Sequence, residues 1–99
     1  MKVKVNVTRA DIQAGVRKGC VDCPVARAVL RVLEYYGVDH VNTYYSDIDV
    51  RGKIIRLPRE ARSFIKKFDK EKSGVTNRVH YKFPKSSFKP FSFYLNIAL

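Results

Sequence analysis

Cys20 and Cys23 stand three positions apart, and Pro24 follows directly. A proline there is typical of the first residue of a helix, whose dipole would favour a reactive thiolate. The same spacing would supply half of a zinc site, with His40 and His80 as the only imidazoles, but neither has the spacing of a known zinc finger. We therefore favour a structural role for both cysteines, with Cys23 as a small buried residue, and keep them as weak metal candidates.

Residues 78–89 combine four cations with three aromatic residues and contain no acid. Cations match the phosphates of a nucleic acid and release its condensed counterions, while aromatic rings offer faces on which unpaired bases stack. The outward side of a predicted helix just upstream adds further cations. The predicted phosphate contacts are Arg59, Arg62, Lys66, Lys67, Lys70, Arg78, Lys82, Lys85 and Lys89, and the predicted stacking residues are His80 and Tyr81.

An alternative interpretation of this segment needs no ligand. Tyr81, Phe83 and Phe88 would anchor the long loop in a satellite core, while its lysines point into solvent. Nucleic-acid contact is favoured over it because the charge of the whole chain also favours an anionic partner.

Signals for catalysis are weak throughout the chain. Local spacing places no second titratable group beside His40 or His80 in an acid–base arrangement, and Ser86 and Ser87 have no nearby histidine. The five glycines are scattered singly instead of forming a phosphate-binding loop. We expect no enzymatic activity and no cofactor.

The chain has 99 residues, which is enough for one domain, and 45% of them are hydrophobic, which favours a folded globule over disorder. Its net charge of +11 is unevenly spread. Residues 1–50 carry +1, whereas residues 51–99 hold thirteen basic and three acidic side chains, a net charge of +10. A domain that needed only solubility would mix both signs, so this half favours a polyanionic partner. No apolar run is long enough to predict a membrane helix, and the first residues lack the apolar block of a signal peptide.

Hydrophobic periodicity predicts the elements of the first half. Val3, Val5 and Val7 alternate with polar residues and predict a strand over residues 1–7. Thr8 and Asp11 have the spacing of a capping box and predict a short helical turn over residues 12–16. A helix from Pro24 to Gly37 is predicted by one apolar stripe: Val25, Val29, Val32, Leu33 and Tyr36.

The second half predicts strands over residues 41–47 and 53–57 around a turn at 47–52, a helix opened by Pro58, and a last strand over residues 91–97. This strand–helix–strand–strand–helix–strand order matches the βαββαβ arrangement of a ferredoxin-like sandwich. The expected fold is therefore α+β: a small two-layer sandwich with an antiparallel sheet and two helices on one face. It forms a single domain over residues 1–99, with a basic, aromatic-rich loop at about 73–89.

Residues 7–12 followed by Gly15, residues 23–26 and residues 90–93 resemble a group of small proteins that bacteriophages and mobile elements of bacteria encode. The Cys-Pro-Val-Ala start of a helix at Cys23 is the most specific part of the resemblance. The group has no established activity. The resemblance implies an intracellular bacterial setting with reduced thiols, in which small phage proteins often bind host machinery, including defence complexes.

The leading hypothesis is a non-enzymatic, cytoplasmic protein of a bacterial host cell that binds nucleic acid through its phosphate backbone and has no membrane partner. The alternative is a phage-encoded inhibitor that binds a host defence or nucleic-acid-handling enzyme. A third hypothesis is a thiol or zinc protein that uses Cys20 and Cys23. The sequence leaves DNA versus RNA and the oligomeric state open, a homodimer included.

Overall fold

The computed structural model describes residues 1–72 and 80–98, and the predicted contact Arg78 lies outside them. The helices and strands follow in the order β1 (Lys2–Val7), α1 (Arg9–Ala14), α2 (Pro24–Leu33), β2 (Asn42–Thr43), β3 (Asp47–Val50), β4 (Lys53–Arg56), α3 (Arg59–Phe68) and β5 (Phe91–Asn96). Short 3-10 turns lie at Glu34–Tyr36 and Lys85–Ser87. Helices and antiparallel strands occur together, so the predicted α+β class is confirmed.

The first and last strands form a two-stranded antiparallel ribbon, in which Lys2 pairs with Asn96 and Val7 with Phe91. Because side chains alternate along a strand, one ribbon face carries the buried Val3, Val5 and Phe93. The other face is exposed and polar. Both strands match their predictions closely, since alternation in a half-buried strand is a strong local signal.

Helix α2 packs its apolar stripe against β1. Val25, Val29 and Leu33 are fully buried, as predicted. Tyr36 is 40% exposed instead, because the α-helix ends at Leu33 and continues as a tighter 3-10 turn that shifts Tyr36 off the stripe. Gly37 then ends the turn with a left-handed φ of 82°.

The chain between α2 and α3 differs from its prediction. The predicted strand over residues 41–47 is confirmed only at residues 42–43, because the amide of Tyr44 donates to the Asp47 carbonyl at 2.7 Å and the chain reverses there. Residues 47–50 then form β3, in which Ile48 and Val50 face the core. Of the predicted turn at 47–52, only Arg51 and Gly52 are in a turn. Strand β4 follows as expected, and the three strands form an antiparallel meander.

The five strands lie in two sheets, whereas the sequence predicted one sheet in ferredoxin-like order. The edge of β2 that would face another strand is occupied by the loop before α2. The amide and the hydroxyl of Thr43 both donate to the Cys20 carbonyl, at 2.7 and 3.0 Å. The Thr43 amide has one hydrogen to donate and gives it to Cys20, so it cannot pair with β1.

Helix α3 begins after Pro58 and buries Ala61, Phe64, Ile65 and Phe68, as its periodicity predicts. Phe64 and Phe68 stack at 5.3 Å between ring centroids, and Phe88 meets both rings edge-on at 5.1 and 5.4 Å. This aromatic cluster holds the segment before β5 against the helix. Within residues 1–72 and 80–98, no helix has the length and hydropathy needed to cross a membrane.

Helix α1 is fixed by one buried carboxylate. Asp11 and Thr8 form the predicted capping box, and the helix spans residues 9–14 instead of 12–16 because the box places its start directly after Thr8. Arg31 of α2 binds both oxygens of Asp11 at 2.7 Å, and it also donates to the Asn6 carbonyl of β1. Burial would raise the pKa of Asp11, but the hydrogen bonds from Arg31 and Thr8 outweigh it, so this pKa lies below its usual value.

Replacing Asp11 with Asn should lower the free energy of unfolding by about 2 kcal/mol at neutral pH, because Arg31 loses a charged partner. Because folding lowers the pKa of Asp11, its full contribution to stability is present at pH values above the unfolded pKa of about 3.9. The contribution is lost as the pH falls through the pKa of the folded state. Urea unfolding between pH 7 and 2.5 should therefore show the two proteins converging in acid. Asp22→Asn, which changes an exposed acid, is the control. A constant difference between Asp11→Asn and the parent at all pH values would contradict this role.

Candidate nucleic-acid interface

Helix α3 exposes cations opposite its buried side. Arg59, Lys66 and Lys67 are exposed on the helix, and Lys70 follows just beyond its end. The carboxyl end of a helix favours basic side chains, so Lys66 and Lys67 in the last turn cost the helix little.

The chain beyond α3 brings a second set of cations beside the first. The amide of Lys82 donates to the Lys70 carbonyl at 2.8 Å, and the amide of Lys72 donates to the His80 carbonyl at 2.6 Å. Glu71 and Tyr81 form a β-bridge between these two bonds. Residues 70–72 and 80–82 therefore run antiparallel, and the pairing fixes Lys70 next to Lys82.

Lysines from both segments converge on one aromatic ring. The Lys67 ammonium lies 6.0 Å from the centroid of Phe83, and the Lys82 ammonium lies 5.7 Å from it. The cationic surface consists of Arg59, Lys66, Lys67, Lys70, Lys82 and Lys89, all of them exposed. Within the described residues none of the six forms a salt bridge, so their charges face solvent.

Arg17 holds the two parts of this surface together. Its guanidinium donates to the Phe68 carbonyl at the end of α3 and to the Phe83 carbonyl, the latter at 2.8 Å. It also lies 4.3 Å from the ring of Phe68, 4.7 Å from Tyr81 and 5.9 Å from Phe88. Two carbonyls and three rings thus surround one cation. We call these contacts the Arg17 clamp.

Lys18, the next residue, binds the two acids that follow α3. Its amide donates to Asp69 at 2.9 Å, and its ammonium pairs with Glu71, which raises the pKa of Lys18. Burial raises the pKa of Asp69, and the Lys18 amide and the Arg17 charge oppose this shift. Lys18 therefore binds both acids, and within the described residues neither acid forms a salt bridge with Lys66, Lys67 or Lys70.

One predicted phosphate contact, Lys85, serves the fold instead. Its ammonium donates to the carbonyls of Gln13 and Gly15 at 2.8 and 2.7 Å, where it caps the end of α1. These two bonds hold the charge of Lys85 against α1, so it is placed less favourably for a ligand.

The remaining predicted contacts differ in how much of each side chain a ligand could reach. Tyr81 is half-buried with one face against Arg17, which leaves less of the ring for stacking. Arg62 is also half-buried, and its Nε has no partner among the described residues. His80 is exposed beside Tyr81.

The polar face of the ribbon adds two further cations. Lys2 and Lys4 are exposed on β1, and the Lys2 ammonium lies 4.9 Å from the ring of Tyr94 on β5. Asn6 and Ser92 face each other farther along the same face. These side chains are hydrogen-bonding groups of the kind that contact phosphates and base edges.

The two cysteines have different surroundings. Cys23 is buried, caps α2 by accepting from the Ala26 amide at 3.4 Å, and contacts the Thr43 hydroxyl at 3.2 Å. Burial raises the pKa of Cys23, which disfavours its thiolate. Cys20 is exposed at the rim of a cavity of about 160 Å³. The described residues contain no group of three or more metal-ligating side chains that could hold an ion.

Sequence reasoning missed Arg17 and Lys18 as organisers of the site. Both residues are visible as a basic loop between Gly15 and Gly19, but their partners lie at least 51 residues away. An arginine among charges is ordinarily assigned to the surface. The aromatic rings downstream were the available signal, since arginine packs on such rings more readily than lysine does.

No protein-family model matches the chain, and neither the curated proteins nor the solved structures include a match. Its function is therefore inferred from the geometry and charge of the chain itself.

Replacing Arg17 with Lys should lower the free energy of unfolding by about 1–2 kcal/mol, because an ammonium cannot reach both carbonyls and stack on the rings. The amides of Lys72 and Lys82 should also exchange hydrogen faster, since their pairing depends on the Arg17 clamp. Urea unfolding and NMR hydrogen exchange measure these two effects. The matched control is Arg56→Lys on an exposed site, and equal behaviour of the two variants would contradict the clamp.

Thiol reactivity should separate the two cysteines. At pH 7.5 in native conditions, a chromogenic disulfide reagent should modify Cys20 rapidly and Cys23 only as the chain unfolds, since Cys23 is buried and its pKa is raised. In Cys20→Ser the rapid phase should vanish. Rapid modification of both thiols, or a rate that a metal chelator changes, would revive the thiol or zinc hypothesis.

Proposed function

We propose that this chain is a non-enzymatic nucleic-acid-binding protein that contacts the phosphate backbone with its cationic surface. The observation that carries the proposal is the convergence of Lys67 and Lys82, from two separate segments, within 6.0 Å of the Phe83 ring. Like charges brought together without acidic partners repel each other. An arrangement that holds them together is most readily explained by an anion that they bind jointly.

The chemistry of these side chains fits a polyphosphate backbone better than a single anion. A lysine ammonium is a strongly hydrated point charge with rotatable donors, and several of them spread along a surface can follow successive phosphates. Each phosphate that they neutralise releases a condensed counterion, which supplies affinity irrespective of sequence. Lys2 and Lys4 of the ribbon would extend the interface if the bound strand is long enough.

The proposed setting is the cytoplasm of a bacterial host cell, where the resemblance to phage and mobile-element proteins would place it. Both cysteines are free in the structure, in keeping with a reducing compartment.

Replacing Lys66, Lys67 and Lys70 together with Gln should weaken binding to all nucleic-acid sequences alike. At about 0.1 M salt the affinity should fall roughly tenfold or more, and the log–log salt slope should flatten by up to about three, one for each phosphate that is no longer neutralised. Fluorescence anisotropy of a labelled oligonucleotide at a series of salt concentrations measures both quantities.

The matched control is Arg51, Lys53 and Arg56 together replaced with Gln, which removes the same charge from β4 and its turn. This triple variant should lose much less affinity, because its cations are outside the cationic surface. If the two triple variants weaken binding equally, net charge and not the α3 surface accounts for the affinity.

A second candidate function, binding of a host protein, is favoured by exposed aromatic residues. Tyr35 and Tyr45 are 87% and 66% exposed, and Tyr44 lies beside the latter at 49%. Exposed tyrosines are enriched in protein interfaces, where they contribute much of the binding energy. This function would give a complex that survives moderate salt and needs Tyr35 or Tyr45, together with little affinity for free nucleic acid.

A further inference from the structure

A groove of about 550 Å³ runs between α3 and β5, beside the cationic surface. Its volume lies within the roughly 300–1,000 Å³ of small-molecule sites. The residues that line it come from α3, from the segment before β5 and from β5 itself. The groove therefore depends on the same packing that the Arg17 clamp maintains.

Four phenylalanine rings line the groove. Phe64 lies 5.1 Å from Phe88 and 5.0 Å from Phe91, and Phe83 lies 6.3 Å from Phe88. Phe64 and Phe88 are buried, whereas Phe83 and Phe91 are only half-buried. The latter two thus leave part of their ring surface in contact with the groove.

Charged and hydroxyl groups also line the groove. Lys67 and Lys89 contribute ammonium groups, and Glu60 contributes the one carboxylate of the lining. Ser63 and Ser92 add hydroxyls. Aromatic rings offer a free phosphate neither a charge nor a hydrogen bond. A flat group that packs on the rings, donates a hydrogen bond to Glu60 and has an anion on either side for Lys67 and Lys89 fits this lining.

We propose that the groove takes one unstacked nucleobase of a single-stranded nucleic acid, with its flanking phosphates at Lys67 and Lys89. This inference rests on the proposed function and adds a strand preference to it. A base in an intact duplex is paired and stacked on both faces, so it cannot enter. Phe83 provides the stacking surface, because it lines the groove, is only half-buried and has two ammonium groups within 6.0 Å of its ring centroid to bind the adjoining phosphates.

The chain contains no tryptophan, so Phe83→Trp places a single fluorescent reporter in the groove. We expect an unmodified single-stranded oligonucleotide to quench its emission at saturation. A fully paired duplex should leave the emission unchanged at saturation, as should an abasic strand of the same length. Anisotropy of the labelled oligonucleotides reports binding in the same samples independently of quenching.

A second variant tests the groove independently, in case the tryptophan disturbs the fold. Phe83→Leu keeps an apolar side chain but removes the ring, so single-strand affinity should fall about tenfold while duplex affinity stays the same. Tyr35→Leu, which removes an exposed ring elsewhere, is the matched control and should change neither affinity.

The outcomes separate the groove from the proposed function. Quenching by single strands alone, with the selective loss in Phe83→Leu, supports the groove. Binding of single strands without quenching and without loss in Phe83→Leu overturns the groove and leaves backbone binding intact. Absence of binding to any nucleic acid at low salt overturns the proposed function, and the groove proposal with it.

Discussion

The Arg17 guanidinium is the group on which the basic half of the molecule depends. It joins the loop before α2, the end of α3 and the segment before β5, and the contacts of Lys18 and the Phe88 cluster act beside it. Its two carbonyl partners are 51 and 66 residues away in the chain. Arginine suits this position because its planar fork donates in two directions while its faces pack against aromatic rings.

The cost of this arrangement is electrostatic. Lys67 and Lys82 both lie within 6.0 Å of the Phe83 centroid, Lys70 pairs with Lys82 through the backbone, and the acids nearest in sequence, Asp69 and Glu71, are bound by Lys18. Self-repulsion of this kind lowers the stability of a compact state, and the aromatic cluster around Phe88 offsets it. An anion that binds only the folded chain would relieve the repulsion and add stability by mass action. The geometry thus suits a protein that works in complex with a polyanion.

Local signals predicted the regular elements well and the long-range contacts poorly. β1, β5, α2 and α3 were all found because each has a strong apolar periodicity over six or more residues. The β2–β3 turn was misplaced because Asp47 and Asp49 are residue types that favour turns, and they masked the alternation of Ile48 and Val50. The division into two sheets depends on the hydrogen bonds between Thr43 and Cys20, which no local pattern reveals.

In the candidate site, too, the residues that follow from local periodicity were predicted and the long-range contacts were not. The exposed cations of α3 follow from its helical stripe, so Lys66 and Lys67 were predictable. Lys85 was assigned to the same surface on charge alone, but its ammonium caps α1 through carbonyls at least 70 residues away. Tyr81 and Phe83 are both half-buried, but Arg17 lies over Tyr81 at 4.7 Å, whereas Phe83 lines the groove beside α3. Such distinctions depend on which partner reaches each side chain, and that is a property of the fold.

The most direct test of the central claim is the salt dependence of binding by the unmodified protein. Labelled single- and double-stranded DNA and RNA would be titrated by fluorescence anisotropy at two or more salt concentrations. Backbone binding by the cationic surface predicts a log–log slope equivalent to about four or more neutralised phosphates. Absence of binding at low salt, or an affinity that salt does not change, would contradict it and turn the search toward a protein partner.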